Sequence, residues 1–524
     1  MINKLKKYNL NFDKTDIKSI IYSLIIINFA FLYHSLNLIW GNHDVTFIKD
    51  ELLLSSGLFE GRFTQFIPYR LLTNGQILPI LNNLIGFSFL TLGLWVLARY
   101  WNLKKNKLYY TLFISFFATL PYTLSWLYFT FITISCMLWV LLAILGLHLS
   151  SFICKQKSKS LFIIISTLCF YLPFGGYPPI INTIFVCLSA KILISYALEK
   201  KSLKEIFSQH IYTILCIIIA YICFKATFLF IKSDSVYNLQ TLNLKEIPQK
   251  LISIIFISFN QFIISLPYME KPYKITLLVM SLTSIIGLFT QPLPKQNKFI
   301  TFIILFITIL CTSTTTFLAT APTQYVARID FYGLGFLYLF FIYLALSLTP
   351  KIYHSLGIIF LFILIPFNIL NDYRALTVWK QGFDAEYQIL DRVVERIENH
   401  KNFNPRKQYR YYQVGDIALR PAFYDSTFDF NDVFLYSHPY LAMWQGKNLI
   451  EFYSPFNYVD NKNEIYISDI TPQLYTFMKD VAKPWPHQNS IYVDDKIIVV
   501  IYRQNELNEF VKQIQKTLSS TQLK

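Results

Sequence analysis

The sequence predicts a polytopic α-helical membrane protein of about eleven transmembrane helices that ends in a C-terminal α/β domain. Of its 524 residues, 54% are hydrophobic and only 15% are charged, and the mean hydropathy is +0.41. A typical soluble domain carries about 25% charged residues, so this composition does not fit one. The third observation is a series of apolar runs, each long enough to cross a bilayer, separated by short polar connections.

The formal charge of +16 is unevenly distributed along the chain. Residues 371–524 carry 18 basic and 19 acidic residues, so the first 370 residues hold 29 basic residues against 12 acidic ones. Most of this excess lies in short connections between apolar runs, where Lys and Arg set membrane topology. The charge therefore indicates contact with membrane lipid and does not indicate a nucleic-acid partner.

Residues 1–370 form the predicted transmembrane domain, with two longer outer loops at 41–77 and 233–273. The first apolar run follows a Lys-rich leader and has no small-residue cleavage site after it, so we interpret it as a retained anchor. The predicted spans are residues 19–40, 78–98, 109–125, 127–150, 160–175, 178–198, 211–231, 274–291, 299–319, 331–349 and 354–370.

Basic residues alternate between successive connections, which indicates the orientation of the chain. Every second connection is rich in Lys or Arg, as the positive-inside rule requires if the N-terminus is cytoplasmic. Eleven crossings then place the C-terminal domain outside, in the periplasm if the membrane is a bacterial inner membrane. The apolar stretch 249–264 is short for a span, and we favour an interfacial helix there. If it were a true span, the tail would lie inside.

The C-terminal segment, residues 371–524, has the pattern of a small α/β domain. Asp384–His400 has helical periodicity. Three stretches have the β-branched and aromatic content of strands, namely 408–414, 464–467 and 496–502.

The first outer loop concentrates ionisable residues more densely than a simple connection requires. Its sequence is GNHDVTFIKDELLLSSGLFEGRFTQFIPYRLLTNG, and it includes His43, Asp44, Glu60, Arg62 and Arg70. Asp44 stands just after the first span, close to where the headgroup of a lipid-linked substrate would lie. A carboxylate at that position can accept a proton from an attacking hydroxyl group.

This loop resembles that of the bacterial serotype-converting O-antigen glucosyltransferases, which belong to the GT-C superfamily of membrane glycosyltransferases. The resemblance is carried by the acid after span one and by S-S-G-L-F-E-G-R-F at Ser55–Phe63, and it is strongest over Asp44–Pro68. It extends to the overall architecture. It implies a transfer of sugar, outside the membrane, from a polyprenyl-phosphate carrier to a glycan acceptor such as lipopolysaccharide O-antigen.

The resemblance also implies roles for particular residues. Asp44 matches the acidic residue that GT-C enzymes use as a base, and Arg62 falls on the G-R-F that would bind phosphate. Many members carry paired acids where this chain has His43, so we predict no cofactor; a divalent metal is an alternative without support. Arg328, in TAPTQYVARID, matches a late loop that contacts the lipid phosphate.

Further substrate-binding candidates are Arg70, Glu60, His43 and Lys225. Several of the site candidates also have a simpler explanation. Arg62 and Glu60 could form an ion pair within the loop, and Arg328 could pair with Asp330 or anchor the chain at the membrane surface. Asp44 could be a solvated or helix-capping acid. Lys225 either reaches a lipid phosphate or extends toward the membrane surface. The turn at Tyr171–Pro179 is a minor candidate for substrate contact.

The leading functional prediction is an inverting glycosyltransferase, in which arginines stabilise the phosphate leaving group while the acid deprotonates the acceptor. A lipid-linked glycan transporter or flippase is the alternative. Transporters place polar sites near the bilayer midplane, often on repeated broken helices, whereas these charges cluster in an outer loop. A structural or assembly protein would leave that loop unexplained.

Overall fold

The structure is a computed structural model, and its described residues fall into two compact units. The helical unit comprises 1–38, 51–375 and 426–435, and the C-terminal unit comprises 39–50, 376–425 and 436–524. Within these ranges the described residues are 12–37, 39, 44, 57–58, 61–127, 129–155, 158–231, 246–263, 271–291, 295–317, 327–348, 351–415, 450, 454 and 470–521.

The helical unit is built from helices that we number in chain order. They are α1 Lys14–Ala30, α2 Leu32–Asn37, α3 Ile67–Thr73, α4 Pro79–Tyr100, α5 Lys107–Ala118, α6 Pro121–Leu127, α7 Thr133–Ser150, α8 Lys159–Gly176, α9 Ile180–Leu193, α10 Leu203–Thr227, α11 Ile247–Ile263, α12 Lys271–Thr290, α13 Lys295–Leu310, α14 Ala327–Tyr332, α15 Leu334–Ser347 and α16 Lys351–Glu398.

Eight helices in the described part of the chain are long and apolar enough to cross a membrane, which supports a polytopic helical membrane protein. They coincide with eight of the eleven predicted spans. The spans are Pro79–Tyr100, Thr130–Ser150, Lys159–Gly176, Ile180–Leu198, Leu203–Thr227, Pro272–Thr290, Lys298–Thr315 and Ile352–Glu398.

The other three predicted spans fall on shorter helices, so the total of eleven stays a prediction. The run 19–40 is divided into α1 and α2 at Phe31, and the run 109–125 is divided into α5 and α6. Pro121 opens α6, and a proline cannot continue the helix that precedes it because it lacks the N–H donor. The run 331–349 contains the 14-residue α15. The helix α11, which covers most of the predicted stretch 249–264, is also shorter than a membrane span.

Two predicted boundaries were wrong. The span 211–231 begins eight residues earlier, at Leu203, because Ser202 and Glu205 form a capping box that starts α10 there. The span 354–370 and the helix 384–400 are one continuous helix, α16. Pro366 lies inside α16 without ending it, and the boundary between the two units falls after Ala375 within this helix.

Small residues allow the central helices of the helical unit to approach closely. A Cβ on Gly93 would lie 3.1 Å from the Leu141 backbone, and one on Gly86 would lie 3.2 Å from Thr133, so both glycines stand where α4 packs along α7. Close packing through small residues is the usual basis of helix association in membranes, where water is absent and apolar burial gives little driving force.

The C-terminal unit contains a three-stranded mixed sheet. The strands are β1 Arg410–Val414, β2 Ile491–Val493 and β3 Ile497–Ile501, in the order β1-β3-β2. The central strand β3 is parallel to β1, antiparallel to β2 and wholly buried. The amphipathic helix α18, Gln504–Thr521, covers the sheet, following a short helix α17 at Pro472–Thr476. Two of the three predicted strands are thereby found, and 464–467 lies outside the described residues.

Candidate functional site

The described part of Ser55–Phe63 is a closed turn. The backbone N–H of Gly61 donates to the carbonyl of Leu58 at 2.9 Å, and the N–H of Arg62 donates to the carbonyl of Gly57 at 2.9 Å. A Cβ on Gly57 would overlap the carbonyl of Arg62, and Gly61 has a φ of +71°. Glycine is therefore required at both positions, at the first for space and at the second for left-handed backbone.

Thr64 attaches this turn to the end of α8. Its backbone N–H donates to the carbonyl of Gly175 at 3.0 Å, and its hydroxyl donates to the carbonyl of Leu172 at 2.6 Å. Because both bonds go to backbone atoms at the end of one helix, they fix the height and the orientation of the turn together.

The residues after the turn attach to the start of α7. The Ser135 hydroxyl donates to the carbonyl of Gln65, and the Tyr69 hydroxyl donates to the carbonyl of Thr130 at 2.7 Å. The same Tyr69 oxygen accepts from the backbone N–H of Ile134 at 3.2 Å. The turn is thus held on two helices of the bundle, and Arg62 is presented from a fixed support.

The Arg62 guanidinium group lies over an aromatic cluster. Its central carbon is 5.3 Å from the centroid of the Tyr177 ring, within the range of a cation–π contact. Tyr177 packs against Trp126 at 5.0 Å and against Tyr332 at 5.5 Å, and the last two rings are also 5.5 Å apart. We call the end of the helical unit formed by these residues the Arg62 end.

Phe63 connects the turn to α10 on its other side. Its ring lies 5.7 Å from Tyr171, 6.0 Å from Phe224 and 6.3 Å from Phe228. The half-buried Lys225 follows Phe224 in the last turn of α10. The structure therefore brings the Lys225 position to the Arg62 end, as a lipid-phosphate ligand would require.

The stretch Tyr171–Pro179 proves to be the support for the turn. We expected a tight turn there, but α8 continues to Gly176 with Pro173 inside it. A Cβ on Gly175 would overlap Phe63, and a Cβ on Gly176 would overlap the Trp139 indole. The glycine pair is thus explained by close approach of two aromatic rings.

Arg70 makes a different kind of contact. It lies on α3 and its guanidinium group donates to the carbonyl of Asn74 at 3.3 Å, at the end of the same helix. Asn74 has a φ of +53°, the left-handed conformation of a helix C-cap. This contact gives Arg70 a structural role in closing α3, so its assignment to substrate is the weakest among the arginines.

Arg328 lies on the short helix α14. Phe331 and Tyr332, three and four residues later, pack against Trp126 at 6.3 and 5.5 Å. The helix that carries Arg328 therefore rests on the same aromatic cluster as Arg62, although the two positions are 266 residues apart in sequence. The backbone positions of Arg62 and Arg328 are thus linked by one cluster, and the convergence of their guanidinium groups stays a prediction.

Asp44 has helical backbone and a side chain that is 0% exposed. A solvated surface acid is therefore excluded, while a buried functional or structural carboxylate fits. Asp44 belongs to the C-terminal unit, together with 376–425, so its approach to Arg62 stays a prediction.

The assignments to His43 and Glu60 fall on residues outside those that the structure describes. Within the described ranges, no group of three His, Cys, Asp or Glu side chains is arranged to hold a metal ion.

Sequence reasoning missed the aromatic residues that support Arg62. Tyr177, Trp126 and Tyr332 are spread over three segments, and no motif in the sequence connects them. The signal that could have indicated Tyr177 is its place directly after Gly175–Gly176, a glycine pair that admits bulky neighbours.

Comparison with known families matches the chain to the family described as Glucosyl transferase GtrII over residues 42–346, more than half of its length. The chain belongs to the GtrII glucosyltransferase family. No curated protein and no solved structure matches it. The GtrII match begins two residues before Asp44 and includes Arg62, Lys225 and Arg328, so Arg62 and the aromatic cluster of Tyr177, Trp126 and Tyr332 lie within the family region.

Membership of the GtrII family makes this chain a glycosyltransferase and supports the membrane character of its helices. It confirms the resemblance to serotype-converting glucosyltransferases. The C-terminal sheet and α16 lie beyond the match, so the family assignment does not explain them.

Proposed function

We propose that this GtrII-family protein transfers a hexose such as glucose from a polyprenyl-phosphate carrier to a surface glycan such as lipopolysaccharide O-antigen. The reaction takes place on the outer side of the bacterial inner membrane, in a GT-C architecture with a cytoplasmic N-terminus and a periplasmic C-terminal domain. The observation that carries the proposal is the family match over residues 42–346.

The geometry around Arg62 supports a phosphate-binding role for that end of the bundle. The closed turn, its bonds to α8 and α7, and the cation–π contact with Tyr177 hold the guanidinium group before substrate arrives. A pre-positioned guanidinium group binds phosphate with two parallel hydrogen bonds and stabilises charge without reorganisation. The helix that carries Arg328 rests on the same aromatic cluster through Phe331 and Tyr332, and in the proposal Arg328 supplies the second cation.

In the proposed reaction, Asp44 accepts the proton of the acceptor hydroxyl as its oxygen attacks the anomeric carbon. The bond between that carbon and the phosphate oxygen breaks, and the polyprenyl phosphate leaves with the electron pair. The leaving group is a stable anion, so it needs cations such as Arg62 and Arg328 and no general acid. Configuration at the anomeric carbon is inverted.

The test compares Asp44→Asn with Asp495→Asn, a matched change at a carboxylate whose side chain is 84% exposed. Membranes containing each variant receive polyprenyl-phosphate glucose and O-antigen, and the rate of labelled glucose transfer is measured. Loss of a general base lowers the rate by about 100-fold or more, whereas Asp495→Asn keeps the wild-type rate. Full activity in Asp44→Asn would refute the assignment of the base.

A second comparison tests the phosphate ligand. Arg62→Lys keeps the positive charge and loses the two-pronged geometry, and Arg62→Gln loses both. The proposal requires transfer to fall in the order wild type, Lys, Gln. If the wild type instead moves glycolipid across proteoliposomes that lack acceptor, and transfers no sugar when acceptor is added, the transporter function replaces this one.

A further inference from the structure

A polar face lies on α16 at a level where the helix is otherwise apolar. Asn368, Asn371 and Asp372 stand at positions i, i+3 and i+4, so they share one side of the helix. Their exposed fractions are 0%, 1% and 0%. The predicted span ended at residue 370, which placed two of these three residues in the C-terminal domain; the structure buries all three on the membrane-spanning helix α16.

The amide group of Asn368 shows which part of the bundle this face meets. It donates to the Thr119 hydroxyl at 3.2 Å and to the carbonyl of Phe116 at 3.4 Å, both at the end of α5. On another side, the Tyr273 hydroxyl, in the first turn of α12, lies within electrostatic range of the Asp372 carboxyl group. The polar face therefore contacts the end of α5 through Asn368, and the first turn of α12 lies near Asp372.

This region belongs to the Arg62 end. Phe117, next to the residues that bind Asn368, packs against Phe331 at 5.2 Å, and Phe331 packs against Trp126 at 6.3 Å. Trp126 in turn contacts Tyr177, over which Arg62 lies. A continuous series of four aromatic rings thus connects the polar face with the proposed phosphate-binding turn.

Most of the polar atoms on this face have no hydrogen-bond partner among the described residues. They are Oδ1 of Asn368, both side-chain polar atoms of Asn371, both carboxyl oxygens of Asp372 and the hydroxyl of Tyr273. Burying one such group without a hydrogen bond is unfavourable, and burying an unpaired carboxylate is more so. A cluster of them is therefore not explained by packing.

Asp16 shows what a satisfied buried carboxylate looks like in the same unit. It is also 0% exposed, but its oxygens accept from Arg99 at 2.8 Å and from the Trp95 indole at 3.1 Å, and Lys105 lies 3.1 Å away. Within the described residues, no N–H or O–H group donates a hydrogen bond to the Asp372 carboxyl oxygens. An ionisable residue buried among membrane helices without such pairing is a candidate for ligand binding.

We infer that Asn368, Asn371 and Asp372 bind the hydroxyl groups of a sugar ring at the Arg62 end. A carboxylate accepts hydrogen bonds from two neighbouring hydroxyls, and the carboxamides both donate and accept, which matches the alternating donors and acceptors of a pyranose. The inference rests on the proposed function, because a glycosyltransferase must hold a sugar within reach of its phosphate ligands. Residue 372 lies beyond the family match, which ends at 346.

The test uses Asp372→Leu, which keeps the branching and the number of heavy atoms of the side chain and removes its polar atoms. Removing an unsatisfied carboxyl group leaves the unfolding temperature equal or higher, because no protein partner loses a bond. A sugar contact would nevertheless be lost, and a hydrogen bond to a charged group corresponds to a rise in KM or Kd of about 10- to 100-fold. Gain of stability with loss of substrate binding is the expected signature.

Kinetics with the donor lipid varied, and then with the acceptor glycan varied, identify the source of the sugar. A raised KM for polyprenyl-phosphate glucose assigns the site to the donor, and a raised KM for O-antigen assigns it to the acceptor. Ser195→Ala is the matched control, since its hydroxyl is also buried without a partner among the described residues, but the residue lies between α9 and α10, where its carbonyl accepts from the backbone N–H of Lys201. Both KM values stay at the wild-type level in this control.

Unchanged KM values for both substrates in Asp372→Leu would overturn the inference. Direct binding of labelled polyprenyl-phosphate glucose and of O-antigen to the purified wild type and to Asp372→Leu gives a second measurement. If the wild type transfers no sugar, the proposed function fails. The inference then stands only if Asp372→Leu weakens binding of one of these ligands, and it fails if both are bound equally by the two proteins.

Discussion

Removal of one hydroxyl group, in Tyr69→Phe, tests whether the Arg62 turn depends on its attachment to the bundle. The Tyr69 ring is 0% exposed, and its hydroxyl forms hydrogen bonds to backbone groups of Thr130 and Ile134 at the start of α7. Phenylalanine keeps the ring and its packing, so the substitution changes these bonds alone. Gln65 and Thr64, bound separately, keep part of the attachment.

The magnitude follows from two buried hydrogen bonds. In membrane proteins a side-chain hydrogen bond contributes about 0.6 kcal/mol on average and up to about 1.7 kcal/mol. The carbonyl and the N–H left behind are buried, which places this case toward the upper part of that range. We therefore expect the free energy of unfolding to fall by about 1–3 kcal/mol, and transfer to fall because Arg62 loses part of its support.

Reversible unfolding in mixed detergent micelles measures the change in stability, and glucose transfer is measured on the same preparation. The control is Tyr22→Phe. The side chain of Tyr22 is 42% exposed, and its ring forms a cation–π contact with the Lys107 ammonium group, which phenylalanine keeps. This control is expected to leave both quantities unchanged. If Tyr69→Phe were as stable and as active as the wild type, the hydroxyl would not hold the turn, and the argument for a pre-positioned Arg62 would lose its main support.

Two further predictions concern ion pairs away from the Arg62 end. Asp16→Asn leaves the buried Arg99 guanidinium group without its carboxylate, and we expect the free energy of unfolding to fall by about 3–5 kcal/mol. The control Asp495→Asn removes an exposed ion pair and should lower the free energy of unfolding by less than about 1 kcal/mol. Burial raises the pKa of Glu199, but the charge and hydrogen bond of Lys191, together with hydrogen bonds from its other neighbours, lower it from 4.5 to about 2. The stability from this pair is complete above pH 4.5 and is lost as the pH falls toward 2, because the folded state must then take up a proton against its pairing. In unfolding titrations over that interval, Glu199→Gln should have a smaller slope against pH than the wild type, and an identical slope would contradict the assignment.

Membrane helices and C-terminal strands were predictable from local composition. Eight spans and two strands were located from their apolar or β-branched runs, because a bilayer and a sheet each select side chains within one short segment. Errors occurred where a boundary depended on a cap or on distant packing. The capping box at Ser202 and Glu205 could be recognised in the sequence. The continuation of α16 past Pro366 could not be predicted from it.

The candidate site was only partly predictable, for a related reason. The glycines and Arg62 of Ser55–Phe63 are contiguous, so their pattern could be recognised. Tyr177 acquires its role only by contact with Arg62, and Trp126 only by contact with Tyr177. No local pattern distinguishes either residue from other aromatic residues of the bundle.

The sequence by itself determined that this chain is a helical membrane protein with an acid- and arginine-rich loop after its first apolar segment. These are properties of composition and of short-range order, which require no knowledge of neighbours. Only the tertiary structure decided that Arg62 lies over Tyr177, whose ring packs against rings from two other segments, and that Asp372 is buried without a partner among the described residues. Burial and pairing depend on what lies across the bundle, and that information is distributed over hundreds of residues.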